Sequence, residues 1–139
     1  SLEEEVMILE SKHRQKNKDM ESMIVPVLSA KEIARYQDTI KEIVVENHLM
    51  KYIASIVIQT RSNANLYLGA SPRASISIMD ASKALAAING RDFVTPDDIK
   101  KVAPSILSHR ILLTPEREME GLTPEKVVRQ IVEGLEVPR

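Results

Sequence analysis

Apolar side chains recur three or four residues apart along most of the chain, which is the spacing of one face of an α-helix. Six stripes have this period, and each marks a predicted helix. They comprise Leu2, Val6 and Leu9; Ile33, Tyr36, Ile40, Ile43 and Val44; Leu49, Ile53, Ile56, Val57 and Thr60; Ile78, Met79, Leu85 and Ala86; Ile99, Val102, Ala103, Ile106 and Leu107; and Val127, Val128, Ile131 and Val132. The pattern predicts an all-α fold, a helical bundle with these stripes in its core.

Three of the predicted helices begin at residues that suit an N-terminal cap. Ser1 with Glu4, and Ser29 with Glu32, have the spacing of a capping box, in which each side chain bonds the backbone N–H of the other residue. Asn47 is expected to cap the helix that follows it.

Three features interrupt the helical pattern. Asn89-Gly90 is expected to close one helix, because glycine adopts the left-handed conformation common just after a helix end. Pro104 falls inside a stripe and predicts a kink or a break, because proline has no backbone N–H to donate. The short apolar runs at residues 43–45 and 111–113 also suit strands, and pairing them would give one small two-stranded β element.

Four predicted helices begin with Ser or Thr followed by proline, which suits the first helical position. The four starts are Ser71-Pro72-Arg73, Thr95-Pro96-Asp97, Thr114-Pro115-Glu116 and Thr123-Pro124-Glu125. Three of them place an acid after the proline, as the positive N-terminal end of the helix dipole favours. Arg73 is the exception, and a cation at that position opposes the dipole by about a few tenths of a kcal/mol.

An arginine at a positive helix end is explained if an anion binds there. The N–H groups of the first turn, the dipole and the guanidinium of Arg73 would then all point at one phosphate or carboxylate. Gly69, just upstream, would allow the backbone to approach such a ligand closely. The spacing alone leaves an alternative open, in which Arg73 is an ordinary surface residue or pairs with an acid elsewhere in the chain.

Composition narrows the classes of function. The 139 residues contain 3% aromatic residues and no cysteine, which favours helices over a sandwich and excludes disulfides and thiolate chemistry. The net charge of −1 provides no basic field for nucleic acid, and no apolar run has the length of a membrane span. His13, His48 and His109 are scattered, so we expect no metal site, and we assign no catalytic residue.

A polar run from Ser11 to Glu21 divides the chain. We predict a leading helix and polar linker over residues 1–28, and a helical bundle over residues 29–139.

Several short strings occur in succession within the bundle. They are Tyr52-Ile53, Thr60-Arg61, Leu68-Gly69-Ala70, Ser71-Pro72-Arg73, the run GRDFVTPDDI at residues 90–99, and Leu107-Ser108-His109-Arg110. This succession resembles the C-terminal lid of MoxR-type AAA+ ATPases over about residues 29–135.

The resemblance implies a helical lid packed beside a nucleotide-binding core. It also implies that Arg73 is the sensor 2 residue, which contacts ATP phosphates and couples lid orientation to nucleotide state. We predict that Ser71 and Ala70 are nucleotide-binding residues beside it. The expected partners are the ATPase core of the same chain, which would hold most of ATP with Mg, and neighbouring subunits in a ring. The expected setting is cytoplasmic and chaperone-like.

The sequence departs from the family in one large respect, because the ATPase core with its phosphate-binding loop is absent. The chain opens at Ser1, and we expect it to begin just after that core. We therefore expect no catalysis by this fragment alone. Arg61 precedes the same loop as Arg73 and is expected to form a salt bridge between two helices.

One alternative comes from a different class of protein. The run FVTPDDI at residues 93–99 also resembles the last loop and helix of histone-type folds, which pair with a partner and bind DNA. The near-neutral charge disfavours this alternative, because affinity for DNA depends on neutralising phosphates. A helical adaptor without a ligand is a third alternative.

Overall fold

A computed structural model describes residues 1–14 and 24–137. This part of the chain holds seven helices and one two-stranded sheet, which confirms the predicted all-α class with one small β element. The helices are α1 (Leu2–Arg14), α2 (Ala30–Lys41), α3 (Asn47–Arg61), α4 (Arg73–Ile88), α5 (Pro96–Leu107), α6 (Pro115–Met119) and α7 (Pro124–Gly134). The strands are β1 (Leu66–Leu68) and β2 (Leu112–Leu113).

The chain divides into two compact units, one ending at Arg35 and the other beginning at Tyr36. In the first unit, Ser1 and Glu4 form the predicted capping box at the start of α1. The Ser1 amino group contacts the Glu4 carboxylate at 2.5 Å, and Ser1 Oγ accepts the Glu4 N–H at 3.4 Å. Residues 15–23 of the predicted linker lie outside the described residues, and the boundary after residue 28 stays a prediction.

Helix α2 also begins at a predicted capping box. The Ser29 N–H donates to the Glu32 carboxylate at 2.7 Å, and Ser29 Oγ accepts the Glu32 N–H at 3.3 Å. The apolar stripe of this helix is not a core face, because no residue of α2 is buried and Ile33 and Tyr36 are 46% and 54% exposed; Ile43, the buried member, lies beyond the end of the helix. The stripe of α1 is exposed as well, with Leu2 at 79%. The helical period shows only that residues share a face, whereas burial needs a second element packed on that face.

The core of the second unit is built by α3, α4, α5 and α7. The predicted stripes of these helices are confirmed, since their members are buried or partly buried. The fully buried members are Leu49, Ile53, Ile56, Val57, Thr60, Ile78, Ala86, Ile99, Ala103, Leu107, Val127, Val128, Ile131 and Val132. Tyr52 joins them, and its phenol donates to the Val132 carbonyl at 3.4 Å.

The predicted pairing of residues 43–45 with residues 111–113 is wrong. Strand β2 pairs instead with β1 in antiparallel fashion, and the Asn65 carbonyl continues the contact by accepting the Thr114 N–H at 3.0 Å. Val44 forms an isolated parallel bridge to Phe93, in which its N–H donates to the Asp92 carbonyl at 2.9 Å. Each run thus pairs with a segment that the hydrophobic pattern did not predict, residues 112–113 with β1 and Val44 with Phe93.

The predicted helix starts are confirmed for the three Thr-Pro-acid strings. Thr95, Thr114 and Thr123 occupy the N-cap positions of α5, α6 and α7. Asn47 is not a cap, because it is the first residue of α3 and Glu46 precedes it in an extended conformation.

The two predicted interruptions have different outcomes. Gly90 closes α4 as predicted: its φ is 71°, and the N–H of Arg91 donates to the Ala86 carbonyl at 3.0 Å. Of the kink or break predicted at Pro104, the break does not occur, because α5 continues through it to Leu107, and the kink stays a prediction. The Ser108 hydroxyl and N–H both donate to the Pro104 carbonyl, at 2.6 and 3.1 Å, and so satisfy the end of the helix.

An ion pair between half-buried Arg91 and buried Asp98 joins the turn after α4 to the first turn of α5. The guanidinium of Arg91 donates to both carboxylate oxygens of Asp98 at 2.7 Å, and Asp98 is 4% exposed. Asp98 also accepts the N–H and hydroxyl of Thr95, each at 2.9 Å. The hydrogen bonds from Arg91 and then Thr95 outweigh burial and lower the pKa of Asp98 from 3.8 to about 2.

We expect Asp98→Asn to lower the free energy of unfolding by about 2 kcal/mol at neutral pH, which is the linkage value of the lowered pKa. Because the pKa of Asp98 is lowered in the folded state, its contribution is complete above 3.8 and is lost as the pH falls toward about 2. Urea unfolding at pH 7 and at pH 2 should therefore show a large difference between wild type and variant only at pH 7. Asp97→Asn, at the exposed neighbouring position, is the control; an equal loss there would contradict the assignment.

Candidate functional site

The candidate site is the loop that connects β1 to α4, together with the first turn of α4. Gly69 in this loop lies against the C-terminal end of α3. A Cβ at Gly69 would lie 2.6 Å from the Thr60 carbonyl oxygen and 2.7 Å from the Arg61 Cα. The close approach predicted for Gly69 is therefore real, but its partner is the backbone of α3 and not a ligand.

Ala70 is held to the same end of α3 by two hydrogen bonds. Its N–H donates to Thr60 Oγ1 at 2.9 Å, and its carbonyl accepts from Arg61 Nε at 2.8 Å. The side chain of Ala70 belongs to the core, and the residue is 1% exposed. Arg61 does not form the predicted salt bridge with any described residue, and its guanidinium instead holds the loop to α3 through the Ala70 carbonyl.

The sequence predicted that the side chain of Ser71 caps α4, and this prediction is wrong. Helix α4 begins at Arg73, Pro72 already has helical angles, and no side chain makes a cap hydrogen bond. The Ser71 carbonyl accepts the Ala74 N–H at 2.9 Å, and the Pro72 carbonyl accepts the Ser75 N–H at 3.1 Å. The N–H groups of Ala74 and Ser75 are therefore occupied within the chain, and the prediction that the N–H groups of the first turn point at an anion is wrong for these two.

Arg73 is exposed at this positive helix end. Among residues 1–14 and 24–137, none forms an ion pair or hydrogen bond with its guanidinium. Other arginines do have such partners: Arg117 contacts Glu120 at 2.6 Å, and Arg129 contacts Glu125 at 2.7 Å. The alternative in which Arg73 pairs with an acid therefore finds no support in the described part of the chain.

Sequence reasoning placed Thr60 on the buried face of α3 but missed its second role. Thr60 Oγ1 donates to the Val57 carbonyl at 2.6 Å while it accepts the Ala70 N–H. A polar β-branched residue at the end of an apolar stripe is the available signal. That signal does not identify the partner, which lies ten residues further along the chain.

No group of three or more His, Asp or Glu side chains in the described segments could hold a metal ion. No helix among those described is long and apolar enough to cross a membrane.

Comparison with known proteins gives one family. The profile of the AAA lid domain matches residues 58–131. The protein YeaC of Bacillus subtilis, which is uncharacterized, is 38% identical over 113 residues that cover 81% of this chain and 35% of YeaC. The chaperone MoxR1 of Mycobacterium tuberculosis is 32% identical over 122 residues, which cover 81% of this chain and 32% of MoxR1.

A solved structure shows the same fold. The crystal structure of a proposed ATPase from Cytophaga hutchinsonii superimposes with a TM-score of 0.79 at 31% identity, over 94% of this chain and 42% of that one. The chain thus spans about a third of the length of the curated relatives it matches. None of these comparisons supports the histone-type alternative.

We expect Gly69→Ala to destabilise the bundle by about 1–3 kcal/mol, the usual cost of forcing extra atoms into a packed position. The new Cβ would meet backbone atoms of Thr60 and Arg61, so the loop or the end of α3 must move. Gly134→Ala is the matched control, because nothing lies within 4 Å of the added Cβ. Urea unfolding of both variants checks this, and equal stabilities would contradict the close approach.

Proposed function

Because the chain belongs to the AAA lid domain family and is of the MoxR type, we propose that it is the C-terminal lid of an AAA+ ATPase and that Arg73 senses the nucleotide. The observation that carries the proposal is an exposed guanidinium at a helix N-terminus, with no partner among the described residues. A cation kept in that position costs free energy unless an anion compensates it.

The residues present fit a phosphate group. A guanidinium donates through a planar fork that matches phosphate oxygens, and the N-terminal end of α4 adds a positive field. Ser71 precedes the helix with an exposed hydroxyl that can donate to the same oxygen atoms. Both backbone polar groups of Ala70 are engaged with α3, so its contribution is to fix the position of the loop.

The rest of the nucleotide site would come from the ATPase core. In this proposal the ATPase core would hold the metal and the reacting groups. A Mg²⁺ ion bound there would neutralise part of the phosphate charge. The lid itself performs no covalent step.

Arg73 would couple the nucleotide to the orientation of the lid. While the phosphates are present, the contact with Arg73 favours one orientation of lid and core, and its loss after hydrolysis lets the alternative orientation become populated. Repeated switching in a ring of cytoplasmic subunits would drive chaperone-like remodelling of a client protein. In this scheme the state of the bound nucleotide determines the orientation of the lid.

We expect Arg73→Ala in the full-length ATPase to lower kcat/KM for ATP about tenfold or more, as for loss of one charge-assisted hydrogen bond. The bundle should stay folded, because Arg73 is exposed and holds no described residue in place. Steady-state ATP hydrolysis with a thermal unfolding curve of each protein measures both effects. Arg129→Ala, which removes an exposed arginine from α7, is the control; unchanged hydrolysis in Arg73→Ala would refute the sensor assignment.

A further inference from the structure

We propose that Thr60 and Arg61, at the C-terminal end of α3, are positioning residues for the phosphate contact of Arg73. The inference rests on the proposed function of Arg73 and adds to it the element that fixes the guanidinium in place. Neither Thr60 nor Arg61 needs to touch the nucleotide in this proposal.

Thr60 forms a fixed connection between helix and loop. Thr60 is 1% exposed. Its hydroxyl donates to the Val57 carbonyl at 2.6 Å, and the same oxygen accepts the Ala70 N–H at 2.9 Å. Because the donor and an acceptor position are both used, the hydroxyl cannot rotate without losing a buried hydrogen bond. The position of the Ala70 N–H is therefore set by α3.

Arg61 fixes the other polar group of the same residue. Its Nε donates to the Ala70 carbonyl at 2.8 Å, so two consecutive residues of α3 hold the N–H and the carbonyl of one loop residue. Gly69 adds a third constraint through its close approach to the Thr60 carbonyl. We call Thr60 and Arg61, with these contacts to Gly69 and Ala70, the α3 clamp.

The distance along the chain from the clamp to Arg73 is short. Only Ser71 and Pro72 separate Ala70 from Arg73, and the ring of Pro72 restricts its φ, which is −57°. The Ser71 carbonyl is tied to the Ala74 N–H, which leaves little freedom between the clamp and the first turn of α4. A displaced clamp would thus displace the guanidinium relative to the phosphates, and contacts of this kind are sensitive to small misplacements.

The test uses the full-length ATPase and variants that separate the hydroxyl from the shape of the side chain. Thr60→Val keeps the branched shape but leaves the Ala70 N–H without its acceptor, whereas Thr60→Ser keeps the hydroxyl. Arg61→Met keeps an unbranched apolar stem but has no donor for the Ala70 carbonyl. Arg129→Met, on the exposed surface of α7, controls for loss of a guanidinium elsewhere.

Each variant is made in the wild-type and in the Arg73→Ala background, and the Kd of a fluorescent ATP analogue is measured with kcat and KM for ATP. We expect Thr60→Val and Arg61→Met each to weaken nucleotide binding roughly five- to tenfold in the wild-type background, as for one lost hydrogen bond. The same changes should have less than about a twofold effect once Arg73 is absent, because coupled residues are not additive. Thr60→Ser and Arg129→Met should stay near wild type in both backgrounds.

Equal losses in both backgrounds would overturn the inference, because the clamp would then act on stability or directly on the nucleotide rather than through Arg73. Normal binding in both single variants would overturn it as well. If Thr60→Val does not fold in a thermal unfolding experiment, Arg61→Met at its exposed position decides the matter by the same comparison. Failure of the sensor assignment itself is seen separately, as normal binding in Arg73→Ala alone.

Discussion

The contact between the loop at residues 69–70 and the end of α3 is the constraint on which the candidate site depends. Because Gly69 has no Cβ, the loop backbone can approach the backbone of α3 closely. Ala70 then hydrogen-bonds to Thr60 and Arg61 of that helix. Without that approach, α4 would begin elsewhere relative to the core. The buried contacts of Gly69 and Ala70 with α3, a few residues before Arg73, thus determine the geometry of the exposed helix end.

The arginines among the described residues differ in whether an acidic side chain pairs with them. Arg91 is used to satisfy a buried carboxylate, and Arg117 and Arg129 are paired on the surface, whereas the guanidinium of Arg73 has no partner among the described residues. An arginine that pairs with an acid can stabilise the fold, although an exposed pair contributes little to the free energy of unfolding. Arg110 is likewise exposed and without a side-chain partner among the described residues, but Arg73 lies at the N-terminal end of a helix, where a cation opposes the dipole. That position, rather than the lack of a partner alone, supports the proposed role of Arg73 as a nucleotide sensor.

The hydrophobic period was sufficient to locate the helices and the core faces of α3, α5 and α7, because burial there follows from a second helix packed on the same face. It did not predict burial in α1 and α2, where Leu2, Ile33 and Tyr36 are exposed, because the period carries no information on what covers a face. The strand partner of residues 112–113 and the contacts of Thr60 depend on the path of loops, which local sequence does not specify. Arg73 was found from sequence because it breaks a charge pattern shared by three other helix starts.

Helix α4 is fastened at both of its ends by different means. The α3 clamp holds the segment before Arg73, and Arg91 with Asp98 ties the turn after the helix to α5. A helix of 16 residues is about 24 Å long and stiff on that scale. Under the proposed function, a displacement of the first turn of α4 by a nucleotide would therefore also displace the turn at Gly90 and Arg91, because the helix between them moves as one body.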